Sequence, residues 1–246
     1  MSVKYPGKLI VLEGIDGSGK TEQFGLLQKR LKAEGVTKVA TADFPRYGHP
    51  AAWYVEKYLG KREAGFERPG YGPADKVNKF FASLAYALDR FDATFSEGQL
   101  MSLSSLLGDG FVVVSNRYTE SNIGHQGAKA KDTIKQEKFI KWLLETEYEL
   151  LEIPKPDLVL LFNMPPKISW ELKEEQLKRE GKEKDAHEVN KEMLEKSWWA
   201  YMYAAKLFPD YWKIINVFSK EEQRLLTIPE VHELAWQEVK KVLPVK

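Results

Sequence analysis

The sequence predicts an α/β protein of three layers, in which helices cover both faces of a central five-stranded parallel sheet. Three observations lead to this expectation. Short apolar runs that suit buried strands alternate with longer helix-like segments along the 246 residues. These runs are far shorter than the about 20 residues that cross a bilayer. A glycine-rich stretch follows the first run, as at a turn from a strand into a helix.

The individual elements follow from this alternation in chain order. The first half is expected to hold a strand at 9–13, a helix at about 19–34, a strand at 38–43, a helix at about 50–59, a long helix at about 75–106 and a strand at 111–115. The second half is expected to hold helices between 119 and 150, a strand at 157–163, helices from about 166 to 180 and on to 207, a strand at 213–217 and a last helix near 229–242.

Composition excludes several classes of protein. The chain has no cysteine, which rules out disulfides, thiolate catalysis and cysteine-ligated zinc. Its net charge of +1 lacks the basic excess of a protein that binds nucleic acid polymers. The first residues, MSVKYPGK, hold no long apolar segment, so we expect no secretion, no membrane partner and a cytoplasmic location. No sharp break in composition divides the chain, so we expect one domain, 1–246.

The glycine-rich stretch predicts a site for nucleotide phosphates. It satisfies GxxxxGK[ST] between a strand and a helix, the pattern of a P-loop. Glycines let the backbone wrap an anion with inward N–H groups, and the helix N-terminus adds partial positive charge. Lys20 would reach the outer phosphates, and the Thr21 hydroxyl can ligate Mg²⁺. The predicted ATP-binding residues are Gly14, Ile15, Asp16, Gly17, Ser18, Gly19, Lys20 and Thr21.

Five further motifs identify a family. DFPRYG at 43–48, ALDR at 87–90, NRYTESNIGHQGAK at 116–129, PKPDLVLLF at 154–162 and DAHE at 185–188 follow the P-loop in this order. Together they resemble the thymidylate kinases, and the resemblance runs from about residue 8 to 216. It implies a P-loop fold with a helical lid, at about 171–190 here. It also implies transfer of the γ-phosphoryl group of ATP to dTMP, with Mg²⁺, in a homodimer.

The resemblance assigns the DFPRYG loop to the acceptor nucleotide. It places Phe44 and Tyr47 near the sugar and Arg46 on the acceptor phosphate. The planar guanidinium of Arg46 matches a phosphate face. Taken alone, Arg46 could equally be a surface arginine in a turn.

The long helix supplies the next pair. Tyr86 and Arg90 lie four residues apart, so they share a face, and the resemblance implies that Tyr86 stacks on thymine while Arg90 binds a thymine carbonyl. The alternative makes Tyr86 part of an apolar stripe and pairs Arg90 with an acid. That stripe consists of Phe80, Phe81, Leu84, Leu88, Phe91 and Phe95.

The end of the third strand carries a departure from the family. Arg117 matches the arginine that the family places between donor and acceptor phosphates, but Asn116 stands where the family has an aspartate. An amide oxygen can hold a metal-bound water but carries no charge, so a direct metal role for Asn116 is in doubt. The family places Asp16 beside the acceptor sugar and the metal. Its simpler role would be to complement a helix N-terminus.

Three polar side chains after Arg117 would face the base together. Asn122, His125 and Gln126 are spaced at i, i+3 and i+4, so a helix presents them on one side. The Asn122 amide suits the N3–H and O4 edge of thymine. Many family members carry a tyrosine here that disfavours ribose, so sugar discrimination is open. His125 alone could be a packed histidine.

Transfer needs cations rather than a base. The acceptor phosphate is mostly ionised at pH 7, so the task is to hold two anions in line. We expect Lys20, Arg117, Asp16 and Arg179 to be catalytic, and Thr21 and Asp16 to serve the metal. Arg179 lies in the lid candidate at 177–188, with lysines at 178, 182 and 184 and the acids Asp185 and Glu188. A solvated charged helix is the alternative.

Two other functions stay open at this point. The scaffold could serve another pyrimidine nucleoside monophosphate kinase or a deoxynucleoside kinase. From a different class, a P-loop switch or assembly ATPase could use the aromatic segment at 197–208 as an interface. Turnover that requires dTMP would separate the first function from the last.

Overall fold

A five-stranded parallel sheet forms the centre of the structure. The computed structural model describes residues 4–60, 70–96, 101–180 and 191–243. The strands are β1 (Lys8–Glu13), β2 (Val39–Asp43), β3 (Val112–Asn116), β4 (Leu158–Asn163) and β5 (Trp212–Asn216). Their order across the sheet is β2-β3-β1-β4-β5. The prediction of a five-stranded parallel sheet is confirmed.

Helices cover both faces of the sheet. Their bounds are α1 (Lys20–Ala33), α2 (Trp53–Leu59), α3 (Lys79–Phe95), α4 (Leu103–Gly108), α5 (Glu120–His125), α6 (Thr133–Leu144), α7 (Pro166–Glu180), α8 (Lys191–Leu207) and α9 (Ile228–Val242). Short 3₁₀ turns lie at Pro50–Ala52 and Gly127–Lys129, and a π-helical turn lies at Glu145–Leu150. Within the described residues, no helix combines the length and the apolar character needed to cross a membrane.

The central strands are buried because both faces of the sheet are covered. β1, β3 and β4 are almost continuous runs of buried Val, Ile and Leu, as expected for an interior parallel strand. β2 lies at the edge, and its residues are half-buried or exposed. All five strands point the same way, so their carboxyl ends meet along one edge, where ligands bind in folds of this kind.

The predicted long helix at 75–106 is wrong in extent. The Asn78 side chain accepts hydrogen bonds from the amides of Phe80 and Phe81 and starts α3 four residues later than predicted. The helix ends at Phe95, because Ser96 adopts an extended backbone. A separate helix, α4, begins after Ser102, whose hydroxyl caps it.

One further element was not predicted. β6 (Phe218–Ser219) and β7 (Arg224–Leu225) form a small antiparallel hairpin that the sequence pattern did not indicate. The predicted helices from 166 to 207 are α7 and α8, and residues 181–190 between them lie outside the described residues.

The apolar stripe of α3 faces outward. Its members are each 36–49% exposed: Phe80, Phe81, Leu84, Leu88, Phe91 and Phe95. The buried face of α3 carries small or polar residues instead, namely Ala82, Ser83, Ala85, Ala87, Asp89, Arg90 and Thr94. The helix therefore turns its polar functional groups toward the sheet and its large apolar groups away from it.

Candidate active site

The P-loop joins β1 to α1 and wraps tightly. Gly14 has φ +148°, and a Cβ there would stand 2.7 Å from the carbonyl oxygen of Phe162, so no side chain fits. The Lys20 ammonium lies inside the loop and donates to the carbonyl oxygens of Gly14 (2.8 Å) and Ile15 (2.9 Å). The loop therefore presents backbone groups and one buried cation to an anion.

Burial tunes the charge on Lys20. The side chain is 7% exposed. Desolvation, with repulsion from Arg117, lowers the pKa of Lys20 to about 8, while Asp16 and Glu13 oppose the shift. The ammonium is still mostly protonated at neutral pH, and an arriving phosphate would favour that charged form.

Helix α7 is fastened to the P-loop. The Ser169 hydroxyl donates to the backbone carbonyl of Asp16 at 2.7 Å. Ser169 lies in the first turn of α7 and is buried. The loop that would hold phosphates is thus tied to the helix that leads toward the predicted lid.

A cavity of about 340 Å³ opens beside the P-loop at the carboxyl edge of the sheet. Five separate segments contribute its walls. The lining residues are Asp16, Phe44, Pro45, Tyr47, Tyr58, Leu59, Tyr86, Arg90, Arg117, Tyr118, Ser121, Asn122, His125 and Gln126. All the predicted acceptor residues except Arg46 are among them.

Arg117 connects the P-loop with this cavity. Its Nη2 donates to Asp16 Oδ1 at 3.1 Å, and its Nη1 lies 3.1 Å from His125 Nε2. Its backbone has φ +65°, a left-handed conformation that is uncommon for a residue with a side chain and is often found at functional sites. The guanidinium therefore lies at the boundary between the P-loop and the cavity.

Arg117 also determines the state of its neighbours. Burial, and then the Arg117 charge, lower the pKa of His125 to about 4, so the imidazole is neutral and its Nε2 accepts from Arg117. Burial opposes ionisation of Asp16, but Arg117, His125, Lys20 and Lys173 together lower its pKa below the ordinary value. Asp16 therefore stays anionic beside the cations.

Two amides line the cavity next to His125. Asn122 and Gln126 are both at least 97% buried. The Asn122 amide nitrogen donates to the Ser83 carbonyl (3.3 Å), and that of Gln126 lies 3.4 Å from the Tyr58 hydroxyl. Gln126 Oε1 is buried without a partner among the described residues, so it is available to a hydrogen-bond donor on a ligand. The predicted grouping of Asn122, His125 and Gln126 is present.

A buried carboxylate holds α5 against the P-loop strand. Glu13 accepts hydrogen bonds from the Tyr118 amide and from the hydroxyls of Ser121 and Tyr201, each at 2.9 Å. A Cβ on Gly124 would stand 2.2 Å from the Tyr201 ring. Only glycine lets α8 approach α5 this closely, and sequence reasoning did not identify this support.

Arg90 is part of a buried ion pair. Its Nε and Nη2 each donate to Glu147 at 2.7 Å, and the Thr119 hydroxyl donates to the same carboxylate at 2.8 Å. Arg90 is 2% exposed and Glu147 is fully buried. Arg90 therefore pairs with an acid, as the alternative interpretation predicted, and it also lines the cavity. Tyr86, half-buried beside Tyr58, also lines the cavity.

Arg46 lies outside the set of lining residues. Its guanidinium donates to Asp89 Oδ1 (2.8 Å), to the Asp89 carbonyl (2.9 Å) and to Asp92 Oδ2 (2.6 Å). Its backbone amide also donates to Asp89. The structure thus directs Arg46 to α3 rather than to the cavity, because two acids on that helix compete for its donors.

The lid residues are only partly described. Arg179 is exposed on α7 and pairs with Glu175 at 3.2 Å, one helical turn away. The positions Lys182, Lys184, Asp185 and Glu188 fall outside the described residues. The structure does not bring Arg179 to the cavity.

Tyr58 and Glu120 were not predicted. The Tyr58 hydroxyl donates to the Ala74 carbonyl (3.3 Å) and accepts from Lys129 (3.2 Å). Burial raises the pKa of Glu120 to about 8, although the Tyr148 hydroxyl donates to it at 2.6 Å and opposes the shift. Tyr58 belongs to no motif, and Glu120 lies within the 116–129 motif, where no local signal distinguished it from its neighbours.

Comparison with known proteins places this geometry in context. The family model for thymidylate kinase matches residues 12–226. Thymidylate kinase from Caldicellulosiruptor saccharolyticus is 31% identical over 211 residues, 86% of this chain and 87% of the relative. Thymidylate kinase from Mycobacterium tuberculosis is 26% identical over 211 residues, 85% of this chain and 91% of the relative.

A solved structure shares the fold. Thymidylate kinase from Candida albicans superposes with a TM-score of 0.63 at 22% identity, over 97% of this chain and 93% of the other. The comparison supports the three-layer arrangement around the parallel sheet.

Proposed function

The chain belongs to the thymidylate kinase family, and from this premise we propose how its residues move the γ-phosphoryl group of ATP to dTMP. It is a kinase that yields dTDP and ADP. The observation that carries the residue assignment is the position of Arg117, which contacts Asp16 of the P-loop and His125 of the cavity at 3.1 Å each. The P-loop takes ATP and the cavity takes dTMP.

The donor site uses backbone more than side chains. The amides of residues 14–21 and the N-terminus of α1 receive the ATP phosphates. Lys20 exchanges its hydrogen bonds to the Gly14 and Ile15 carbonyls for phosphate oxygens. The exchange costs little, because a charged hydrogen bond to phosphate is stronger than one to a neutral carbonyl.

The acceptor site selects a pyrimidine by shape and hydrogen bonds. The base lies against Tyr86 in the cavity that Phe44 also lines, and its polar edge meets Asn122, Gln126 and Arg90. An amide offers the donor and the acceptor that the O4 and N3–H edge needs. His125 is neutral, so it borders the sugar without repelling Arg117, and Tyr47 lies at the cavity mouth, 51% exposed.

Arg46 acts through the loop rather than on the phosphate. Its three donor contacts to Asp89 and Asp92 fix residues 44–47 against α3. The original prediction of an Arg46–phosphate contact would require these contacts to break. We therefore assign Arg46 to holding Phe44 and Tyr47 in place.

Mg²⁺ fits the residues at the P-loop. No group of three or more acidic or histidine side chains within the described ranges could cage a metal. Mg²⁺ does not need one, since it binds through one or two protein oxygens together with phosphates and water. The exposed Thr21 hydroxyl and the anionic Asp16 would hold it. When bound, it neutralises phosphate charge and orients the γ-phosphoryl group.

The chain's own part in the transfer is electrostatic. Arg117 and Lys20 offset the repulsion between two phosphate groups, and Asp16 keeps Arg117 aligned. No base is required, because the acceptor phosphate is ionised at pH 7. The ion pair between Arg179 and Glu175 is exposed and contributes little net free energy. We propose that Arg179 leaves this pair and contacts the phosphoryl group. If Arg179→Ala keeps kcat within twofold of wild type, Arg179 has no such role.

A second copy of the chain is the partner proposed for α3. Leu84, Leu88, Phe91 and Phe95 repeat every three or four residues and are 36–49% exposed, the spacing of a helix–helix seam. Sedimentation should show a dimer for wild type and a monomer for Leu88→Glu. Ile134→Glu, on an exposed apolar residue of α6, should leave the dimer intact. A Leu88→Glu dimer would exclude this seam.

A panel of acceptors tests the proposed function. Purified protein with ATP and Mg²⁺ should release ADP with dTMP and far less with UMP, dCMP or thymidine. Selection against dUMP should be modest, since one methyl group is worth about 0.8 kcal/mol. ADP release that does not depend on any added acceptor would favour the ATPase alternative. We also propose that the chain forms one domain and acts in the cytoplasm.

A further inference from the structure

The carboxyl edge of the sheet has an unusual distribution of charge. β3 lies between β1, which carries the P-loop, and β2. The register pairs Asn116 at the end of β3 with Leu12 on one side and with Asp43 on the other. P-loop enzymes commonly use a strand-end aspartate next to the P-loop Ser/Thr for Mg²⁺. In this chain the strand next to β1 ends in an amide, and the acid stands one strand further out.

The two side chains are joined. The Asn116 amide nitrogen donates to Asp43 Oδ1 at 2.9 Å. An ionised carboxylate only accepts hydrogen bonds, so this contact fixes which end of the amide faces Asp43. The other end, Asn116 Oδ1, is buried and has no partner among the described residues. A buried acceptor without a donor is costly, and a ligand-borne donor would satisfy it.

The remaining acids at this edge do not replace the strand-end carboxylate. Glu13, at the end of β1, is fully buried and already accepts from Tyr118, Ser121 and Tyr201. Asp16, which we propose holds the metal directly, lies in the P-loop rather than at a strand end and pairs with Arg117. Asp43 is exposed, and its contact with Asn116 uses only one of its two oxygens.

We infer that Asp43 is a positioning residue for the metal side of the active site. It holds the Asn116 amide so that Oδ1 is free to accept from a water bound to Mg²⁺, and its own negative charge replaces the strand-end carboxylate. A strand-end aspartate would contribute both an acceptor oxygen and a negative charge. Here Asn116 on β3 supplies the oxygen and Asp43 on β2 supplies the charge. This inference rests on the proposed binding of Mg²⁺ with ATP.

Mn²⁺ binding in the presence of ADP tests the inference without relying on turnover. Electron paramagnetic resonance of free Mn²⁺ gives the affinity of the protein–ADP complex for the metal. Asp43→Asn should weaken that affinity about fivefold to tenfold, with metal-free ADP binding unchanged. The exchanged pair, Asp43→Asn with Asn116→Asp, should restore the affinity, because it returns the charge to the strand beside the P-loop.

A matched control separates local from general charge effects. Asp109→Asn removes the same charge at the opposite end of β3, in an exposed turn, and should leave Mn²⁺ affinity unchanged. If Asp43→Asn lowers only the melting temperature and keeps Mn²⁺ affinity within twofold, the pair is merely structural and the inference is wrong. If the wild type binds ADP but takes up no Mn²⁺, the proposed metal site itself fails.

Discussion

The phosphate cradle and the acceptor cavity meet at Asp16 and Arg117, yet they are built differently. The cradle is one continuous stretch, and the groups that we propose bind phosphate are backbone amides and a single lysine, whose ammonium bonds its own loop. The cavity joins five segments that are far apart in sequence, and buried side-chain pairs hold them together. A change in the cradle should therefore affect chemistry, whereas a change behind the cavity should affect stability and acceptor binding.

The largest effect should come from the ion pair behind the cavity. Glu147→Gln leaves the Arg90 guanidinium buried with a neutral partner, which should lower the free energy of unfolding by about 3–5 kcal/mol. Denaturant titration measures it. Glu149→Gln, on the exposed side of the same π-helical turn, is the matched control and should change stability by less than about 0.5 kcal/mol. A loss below about 1 kcal/mol for Glu147→Gln would mean that Arg90 finds another partner.

The cradle should respond in the opposite manner. Lys20→Ala removes the buried cation that faces the phosphates, and kcat should fall about 10²–10³-fold, while the unfolding free energy changes little. Steady-state kinetics and thermal melts are the two measurements. Lys29→Ala, an exposed lysine on the same helix, should keep full activity. A Lys20→Ala enzyme with kcat within tenfold of wild type would contradict the assignment.

Glu120 gives the cavity side a pH dependence. Its native pKa of about 8 lies above its ordinary 4.5, so between these values the native state holds a proton that the unfolded chain releases. Stability therefore falls as pH rises through that window. Between pH 6 and pH 8 the titration of Glu120 should lower the free energy of unfolding by about 2 kcal/mol. Glu120→Gln should remove it, which unfolding curves at several pH values would show. Equal slopes for wild type and variant would refute the shift.

The smallest expected effect is on the binding of dTMP and not on that of ATP. Tyr58→Phe deletes the hydroxyl that meets Gln126, Lys129 and the Ala74 carbonyl. KM for dTMP should rise about threefold, since a neutral hydrogen bond is worth about 0.5–1.5 kcal/mol, and KM for ATP should not change. Tyr54→Phe, exposed on the same helix, should alter neither. An equal rise in both KM values would place Tyr58 outside the acceptor side.

The same contrast explains what the sequence could reveal. The tight turn between β1 and α1 was predicted because glycine spacing encodes its local backbone conformation. The five strands were predicted because buried parallel strands are short apolar runs. Asn122, His125 and Gln126 were grouped correctly because helical spacing brings them to one side.

Tertiary partners decide what local patterns could not reveal. Nothing near Arg46 indicates that Asp89 and Asp92 will take its donors, and nothing near Arg90 points to Glu147, 57 residues away. The late start of α3 depends on the cap at Asn78, and the break between α3 and α4 depends on the extended backbone at Ser96 and the cap at Ser102. These signals were hidden in an otherwise helical stretch. Tyr58 gains its properties from hydrogen bonds to distant residues, and Glu120 gains its properties mainly from burial.

The hydrogen bond from the Ser169 hydroxyl to the Asp16 carbonyl fixes one end of α7 to the P-loop, so a shift of the loop would tilt the helix. From Ser169 to Arg179 the helix extends about 15 Å. A tilt of about 20° about Ser169 would move the Arg179 end of the helix by about 5 Å. A movement of the P-loop too small to disturb the sheet would thus be magnified at the far end of the helix.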